Sequence, residues 1–436
     1  VHPAAGLVLA YLAIAMLPLA IAALPPRPPG RAFGIELAVA LGFVGWAQVG
    51  LQFGLIARFQ RISRPFGIDL VMQLHRQLGF VAVGFVLAHA LLLPLLRPAV
   101  LALLDPRRGG WGLLLGALST FALLLLIALS LGRRRLRLAY EVWRFVHVLL
   151  GAGALVAALA HVSLSGAYAQ TPWKRAALAL QAAAALGLVA HLRLVRPALL
   201  RRRPFEVVEV REEAPSTWVV TVAPVGHEGL RFAPGQFAWV RFGPSPWTLV
   251  EHPFSFSSSA ESPRRIEFAI KELGDFTNAI GRLPPGTRAW LDGPHGSFSS
   301  DFEPAAGGLL LVAGGIGITP ALSMLRTFAD RGDRRPHVLV YATSRWERTA
   351  FRGALAALSR ALDLRVVHVL ESPPEGWTGE AGHVTTGLLA RVLAGDPVVR
   401  HAFVCGPDAM MASVERSLRA LGFPRERLHL ERFQMV

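Results

Sequence analysis

Cysteine is almost absent from this chain of 436 residues: Cys405 stands alone. A single thiol excludes an intrachain disulfide and any iron–sulfur cluster held by protein cysteines. Acidic residues are also scarce, 29 Asp and Glu against 45 Lys and Arg, for a formal charge of +16. A basic surplus can signal nucleic-acid binding. Here much of it sits in short clusters beside apolar runs, with Arg133, Arg134, Arg135 and Arg137 in one and Arg201, Arg202 and Arg203 in another. That is the positive-inside signature of a membrane protein and argues against nucleic acid as a partner. No cleavable signal peptide is evident, because the first apolar run ends in a Pro-rich stretch rather than at a small-residue cleavage site. No segment has the ligand pattern of a calcium-binding loop.

Apolar runs, in contrast, are plentiful and unevenly placed. Residues 1–200 hold long Leu, Ala and Val runs, whereas residues 204–436 alternate like a soluble α/β protein. Six stretches, near residues 5–24, 33–57, 72–96, 111–131, 143–164 and 176–196, are long enough to cross a bilayer. The richest Arg clusters follow the second, fourth and sixth. This places the N-terminus and the soluble half in the cytoplasm, with the chain integral to an inner or plasma membrane and in contact with lipid.

Histidine supplies the most informative pattern. His75 and His89 lie in the third span and His147 and His161 in the fifth, and both spacings are fourteen residues. Fourteen residues of α-helix rise about 21 Å and fall roughly 40° short of a whole number of turns, so each helix offers two imidazoles on nearly one face at two depths. The topology makes these two spans run the same way, which predicts the pairings His75/His147 and His89/His161. Two stacked bis-histidine sites suit two haems with both axial positions filled, an arrangement for electron transfer. His191 in the sixth span has no partner at a matching depth and reads as a packing or interfacial histidine. Arg76 and Arg144 flank the inner pair as partners for haem propionates or as snorkelling interfacial residues.

Beyond Pro204, short β-rich runs at 205–210, 218–222, 237–242 and 266–270 alternate with Gly, Pro and Ser turns, as in a small antiparallel barrel. Three stretches there offer hydroxyls, a cation and free main-chain N–H groups suited to the ribityl chain and pyrophosphate of a flavin. They are His252-Pro253-Phe254-Ser255 with the serines that follow, Lys271 to Thr277 including Gly274, and Gly293-Pro294-His295-Gly296.

Further on, an apolar strand at 309–313 runs into Gly314-Gly315-Ile316-Gly317-Ile318-Thr319-Pro320, and a helical pattern follows. Strand, glycine loop and helix N-terminus form a pyrophosphate-binding arrangement. The next strand leads into Thr343, Ser344 and Arg345, which suit an adenosine 2′-phosphate and favour NADPH, with NADH as the alternative. A later strand ends in Cys405-Gly406-Pro407, placed for a nicotinamide contact, or as a small buried hydrophobe. Phe433 near the C-terminus either shields the flavin face or packs.

Together these motifs resemble the ferric reductase and NADPH oxidase superfamily across nearly the whole chain. The resemblance rests on the four histidines, on His252 to Ser255, on Gly274-Asp275-Phe276-Thr277, on Gly314 to Pro320 and on Cys405 to Pro407. It implies a multidomain protein: an all-α six-helix transmembrane domain with two b-type haems over 1–203, an antiparallel β-barrel FAD domain over 204–300, and an α/β parallel-sheet nucleotide-binding domain over 301–436. Two positions depart from the family pattern. Phe433 stands three residues before the last residue, and Leu93 stands where superoxide-producing members can carry a polar residue.

A hydride carries two electrons and a haem takes one, so the flavin must stand between them. The expected route is NADPH to FAD to inner haem to outer haem, and then to a small external acceptor. A ferric chelate is favoured. Superoxide formation from O₂, or service to a periplasmic or membrane protein partner, is the alternative.

Overall fold

The computed structural model describes residues 3–59, 67–165, 168–303, 306–394 and 400–433. The chain divides into two compact units, residues 1–66 with 70–195, and residues 67–69 with 196–436.

The first unit is helical: α1 (Pro3–Ala23), α2 (Phe33–Leu55), α3 (Ile68–Leu96), α4 (Gly112–Gly132), α5 (Tyr140–Ser165) and α6 (Pro172–Ala190). Helix α6 runs on through a π-turn at His191–Val195 into Arg196–Leu200. All six are long and apolar enough to cross a membrane. Leucines such as Leu91, Leu118 and Leu180 stand exposed on them, as lipid-facing positions would. The inward faces use small or aromatic residues, with Phe43, Trp46, Phe53, Ala82, Ala154, Leu155 and Ala182 in one cluster.

Helix α6 begins at Pro172 behind Thr171, a proline at the first turn where its missing N–H costs nothing. Two residues on, Lys174 is fully buried. Its ammonium donates to the carbonyls of Ala22, Leu24 and Pro26 at 3.3, 2.6 and 2.9 Å, and so caps the C-terminal end of α1. His191 stacks on Phe59 with ring centroids 6.4 Å apart.

The second unit holds two six-stranded sheets. In the first, β1 (Phe205–Ala214), β2 (Thr217–Pro224), β3 (Phe237–Phe242), β4 (His252–Ser255), β5 (Ile266–Lys271) and β6 (Arg288–His295) run antiparallel in the order β4-β3-β6-β1-β2-β5. A bridge between Phe256 and Phe268 brings the chain after β4 onto β5 and curls the sheet into a barrel around Val220, Val222, Ala238, Phe256 and Phe268.

The second sheet is parallel, from β7 (Gly308–Gly314), β8 (His337–Thr343), β9 (Leu364–Leu370), β10 (Glu380–Ala381), β11 (Arg400–Cys405) and β12 (Leu428–Glu431), ordered β10-β9-β8-β7-β11-β12. Its central strand β7 is buried along its whole length, because helices cover both faces. These helices are α7 (Ile318–Arg331), α8 (Arg352–Ala361), α9 (Thr386–Leu393) and α10 (Asp408–Ala420).

Helix α7 joins barrel to parallel sheet. Ser323 donates to the Ser258 carbonyl at 2.8 Å, Thr327 accepts from the Ala260 amide at 2.9 Å, and Arg326 reaches both the Ser257 carbonyl and the Glu267 carboxylate. Ser257 and Ser258 therefore spend their main-chain carbonyls on the seam between the two lobes.

Candidate functional site

Helices α3 and α5 bring the four histidines together in two pairs. His75 faces His147 with ring centroids 6.2 Å apart, and His89 faces His161 at 6.1 Å. A metal bound to one nitrogen of each ring at about 2.0 Å, with roughly 1.1 Å more from nitrogen to ring centre, sets two centroids about 6 Å apart. Both pairs fit an iron between them.

The far side of three of the four rings is held by a neighbouring helix. His89 Nδ1 lies 2.9 Å from the Ala38 carbonyl of α2, and His161 Nδ1 lies 2.8 Å from the Gly112 carbonyl of α4. His147 Nδ1 meets Ser130 Oγ at 3.2 Å, and that hydroxyl donates to the Leu126 carbonyl at 2.7 Å. His75 Nδ1 is buried and makes no hydrogen bond among the described residues. A proton on Nδ1 shared with a carbonyl sets the tautomer that leaves Nε2 for a metal.

On α4 the backing positions repeat the histidine period. Gly112 and Leu126, which back His161 and, through Ser130, His147, are fourteen residues apart on that helix. One turn beyond Ala38 and Gly112 stand Gly42 and Gly116. A Cβ there would lie 2.7 Å from His89 Nδ1 and 2.8 Å from His161 Nδ1. Only a residue without a side chain lets the imidazole approach that carbonyl. One turn beyond Leu126 stands Ser130, whose hydroxyl fills the space and relays the bond.

At the His147 end of α5, Arg133 lies over the rings of Tyr140 and Trp143 at 5.2 and 5.3 Å, and Arg144 lies over Tyr140 at 5.5 Å. Trp143 in turn packs on His147 at 5.2 Å. Arg76 is exposed.

In the barrel, two of the sequence motifs meet directly. The His252 ring on β4 stacks on Phe276 of the Gly274–Thr277 stretch, with centroids 4.1 Å apart and planes 25° from parallel. Phe254 lies 6.4 Å from the same ring. Pro253 shares β4 with them, and Ser255 closes the strand, buried. Thr277 Oγ1 accepts from the Leu273 and Gly274 amides at 2.8 and 3.0 Å, so its hydroxyl shapes the turn. Lys271 ends β5 beside that turn. Gly293 packs against Ala238, where a Cβ would come within 2.9 Å, and Gly296 takes a positive φ of 97°.

In the parallel sheet, β7 lies between β8 and β11 where the chain order reverses, and the crevice at the carboxyl ends of such strands is where these folds take ligands. The Gly314–Pro320 loop and the Cys405–Pro407 loop close on each other there. A Cβ on Gly317 would lie 2.3 Å from the Cys405 carbonyl, and one on Gly314 would lie 2.7 Å from Pro407. A Cβ on Gly406 would stand 3.0 Å from Gly314. Gly315 has φ +52° and no atom near its missing Cβ, which leaves room above it for a ligand. Thr319 is buried and donates to the Ile316 carbonyl at 2.8 Å, and Pro320 is buried beside it. Cys405 is a buried free thiol.

Beyond β8, the buried Thr343 hydroxyl bonds Thr349 at 2.8 Å, which leaves Ser344 and the exposed Arg345 at the surface. Arg352 lies 5.0 Å over the ring of Trp346, the residue after Arg345. Burial, and next Arg352, hold the neighbouring His368 imidazole below its ordinary range. Phe433 follows β12 and is 39% exposed.

Residues 41–158 match the family described as the ferric reductase like transmembrane component. Residues 204–284 match an FAD-binding domain family, and residues 311–416 an oxidoreductase NAD-binding domain family. The chain belongs to the ferric reductase and NADPH oxidase superfamily.

As a member of that superfamily it is an integral membrane, NAD(P)H-dependent oxidoreductase with FAD- and nicotinamide-nucleotide-binding domains. Ferredoxin–NADP reductase B of Sorangium cellulosum is 32% identical over 249 residues, 54% of this chain and 100% of that protein. The ferredoxin reductase component of 3-ketosteroid-9-alpha-monooxygenase from Mycolicibacterium smegmatis is 34% identical over 244 residues, 53% of this chain and 64% of its own length. The crystal structure of an Amycolatopsis cytochrome P450 reductase superposes with a TM-score of 0.47 at 23% identity, covering 53% of this chain and 69% of its own.

Several elements of the superfamily member's site escaped the sequence reading. The backing glycines left a trace there, because Gly42 and Gly116 are 74 residues apart, close to the 72 that separate His89 from His161. A buried chain beside Gly293 left none. Arg196 Nη1 pairs with Asp292 Oδ1 at 2.6 Å, and His295 Nε2 lies 3.4 Å from the same oxygen. Arg241 and Glu251 form a second buried ion pair in the barrel.

Proposed function

We propose that this protein moves electrons from cytoplasmic NADPH across an inner or plasma membrane to a ferric chelate on the far side. The observation that carries the reading is the pair of facing histidine couples, His75/His147 and His89/His161, at two levels of the same two helices. These four residues would hold two b-type haems, His75 with His147 and His89 with His161. The domains divide at residues 203 and 300, and the second and third stand in the cytoplasm.

FAD, when bound, would supply the conversion of a two-electron hydride into single electrons for the haems. The chain's own residues place these groups. Pro253, Phe254, Ser255 and the His252–Phe276 stack, with Lys271, Gly274, Thr277, Gly293 and Gly296, hold the flavin. Gly314, Gly315, Gly317, Thr319 and Pro320 offer main-chain N–H groups at the start of α7 to a pyrophosphate. Ser344 and Arg345, braced by Thr343, grip the 2′-phosphate of NADPH. Cys405, Gly406 and Pro407 set the nicotinamide end, and Phe433 covers the flavin face.

Arg97, Arg107 and Arg108, just beyond the helix that carries His89, are exposed. Their charge draws an anionic chelate. Leu93 puts no polar group beside His89 to hold superoxide. The test compares NADPH-driven rates with ferric citrate under anaerobic conditions and with O₂ alone. Fast anaerobic reduction of ferric citrate is expected. Fast superoxide-dismutase-sensitive turnover with O₂, and none with anaerobic ferric citrate, would make the protein an oxidase instead.

A further inference from the structure

At the N-terminal end of the parallel sheet, opposite the edge that carries Gly314 and Cys405, three ligating side chains converge from three segments. Glu303 lies in the connection from β6 to β7, His401 on β11 and His429 on β12. His401 Nδ1 stands 3.0 Å from His429 Nε2. The Glu303 carboxylate oxygens lie 3.6 Å from the first nitrogen and 3.8 Å from the second. All three side chains are shielded, at 12%, 20% and 31% exposure for His401, His429 and Glu303.

Hydrogen bonding does not account for this group. One N–H can bridge the two ring nitrogens, but both carboxylate oxygens then stand outside hydrogen-bond reach. Three donor atoms around a tetrahedral zinc, with bonds of about 2.0 Å, stand roughly 3.3 Å from one another. The nitrogens stand 3.0 Å apart, each has a Glu303 oxygen at 3.6 or 3.8 Å, and one ligand atom from each residue lies within 4.8 Å of the other two, near enough to close on one ion. The rings are also held in place, since His429 stacks on Phe403 at 4.4 Å and on His401 at 5.3 Å, with planes 17° and 13° from parallel.

We propose that Glu303, His401 and His429 bind one zinc-type divalent cation, with a fourth position open to water. Two imidazoles and one carboxylate suit zinc rather than calcium or magnesium, which take oxygen ligands. The cation ties the segment leading out of the flavin barrel to the last two strands of the nucleotide sheet. It is separate from the electron route and does not depend on it.

The test uses the full-length protein in detergent, purified without a polyhistidine tag, stripped with EDTA and dialysed against zinc chloride. One tightly held zinc per chain is expected, with an X-ray absorption edge spectrum fitted by two imidazole nitrogens and a carboxylate oxygen at about 2.0–2.1 Å. His401→Gln and His429→Gln each weaken binding by more than about 100-fold, and Glu303→Gln by about 10-fold or more. Retained FAD and reduction of the flavin by NADPH report that each variant is folded. Glu303→Gln, whose side chain is the most exposed of the three, provides the variant least exposed to a folding failure. No zinc retained at micromolar free zinc, or equal affinity in the wild type and folded Glu303→Gln protein, overturns the proposal.

Discussion

At Gly42 and Gly116 the missing side chain is what lets two imidazoles reach main-chain carbonyls. In Gly116→Ala a methyl would stand 2.8 Å from His161 Nδ1, so the ring must turn and give up the Gly112 carbonyl. Losing such an outer-shell contact lowers metal affinity about 10–100-fold. We expect Gly42→Ala and Gly116→Ala each to reduce haem content towards one per chain, or to shift the midpoint potential of one haem alone. Haemochrome assay and spectroelectrochemistry check this, and wild-type haem content and potentials in both variants would refute it. Arg345 tests the nucleotide end. A charge-assisted contact to phosphate contributes about 1.5–3 kcal/mol, so Arg345→Ala is expected to weaken NADPH about ten- to a hundredfold and leave NADH unchanged. Equal loss for both nucleotides, measured as apparent affinity in flavin reduction, would remove the 2′-phosphate assignment. Thr343 shows the limit of reading residues singly. Its hydroxyl was expected at the nucleotide's 2′-phosphate, and in the fold it also bonds Thr349 at 2.8 Å.

Among the elements, α6 departs most from expectation. Its start was expected near residue 176, beyond Lys174, because a charge inside a span is costly. The helix instead begins at Pro172, and Lys174 lies buried inside it because the open carbonyls at the end of α1 need a donor. Three charge–dipole bonds cover the desolvation of the ammonium. Lys174→Leu keeps the bulk and removes the donor, leaving those carbonyls without it. We expect a loss of about 1.5–3 kcal/mol in stability, read as a lower thermal unfolding midpoint of the detergent-solubilised protein, with haem spectra intact before unfolding. A midpoint equal to the wild type would show that water or lipid headgroups satisfy the carbonyls. Elsewhere the elements follow their local patterns. The strand at 309–313 reads as buried on both faces, and β7 is buried throughout.

For the whole molecule, two low-spin, six-coordinate b-type haems per chain are expected, because both histidines of each pair face one another. His89→Ala is expected to lose the outer haem while NADPH still reduces the flavin, and external acceptor reduction should stop. Absence of haem from well-folded protein in a haemochrome assay would sink the electron route at its centre. The six spans, the histidine period and the order of the glycine and Cys-Gly-Pro motifs were legible in the chain. Each is a local property: a run of apolar residues long enough for a bilayer, a spacing set by helical pitch, a turn that needs glycine. Sequence by itself therefore determined the membrane domain and the reductase lobes, and singled out the candidate site residues. Only the tertiary structure decided what stands behind those residues. The carbonyls that orient His89 and His161 lie 51 and 49 residues away in sequence, on helices whose close approach is what gives Gly42 and Gly116 their role. The same holds for the hydroxyls of Thr277, Thr319 and Thr343 and for the ammonium of Lys174. A donor's chemistry is written in the chain, but its partner is fixed by packing between distant segments, and that packing decides whether the group binds a ligand or holds the fold together.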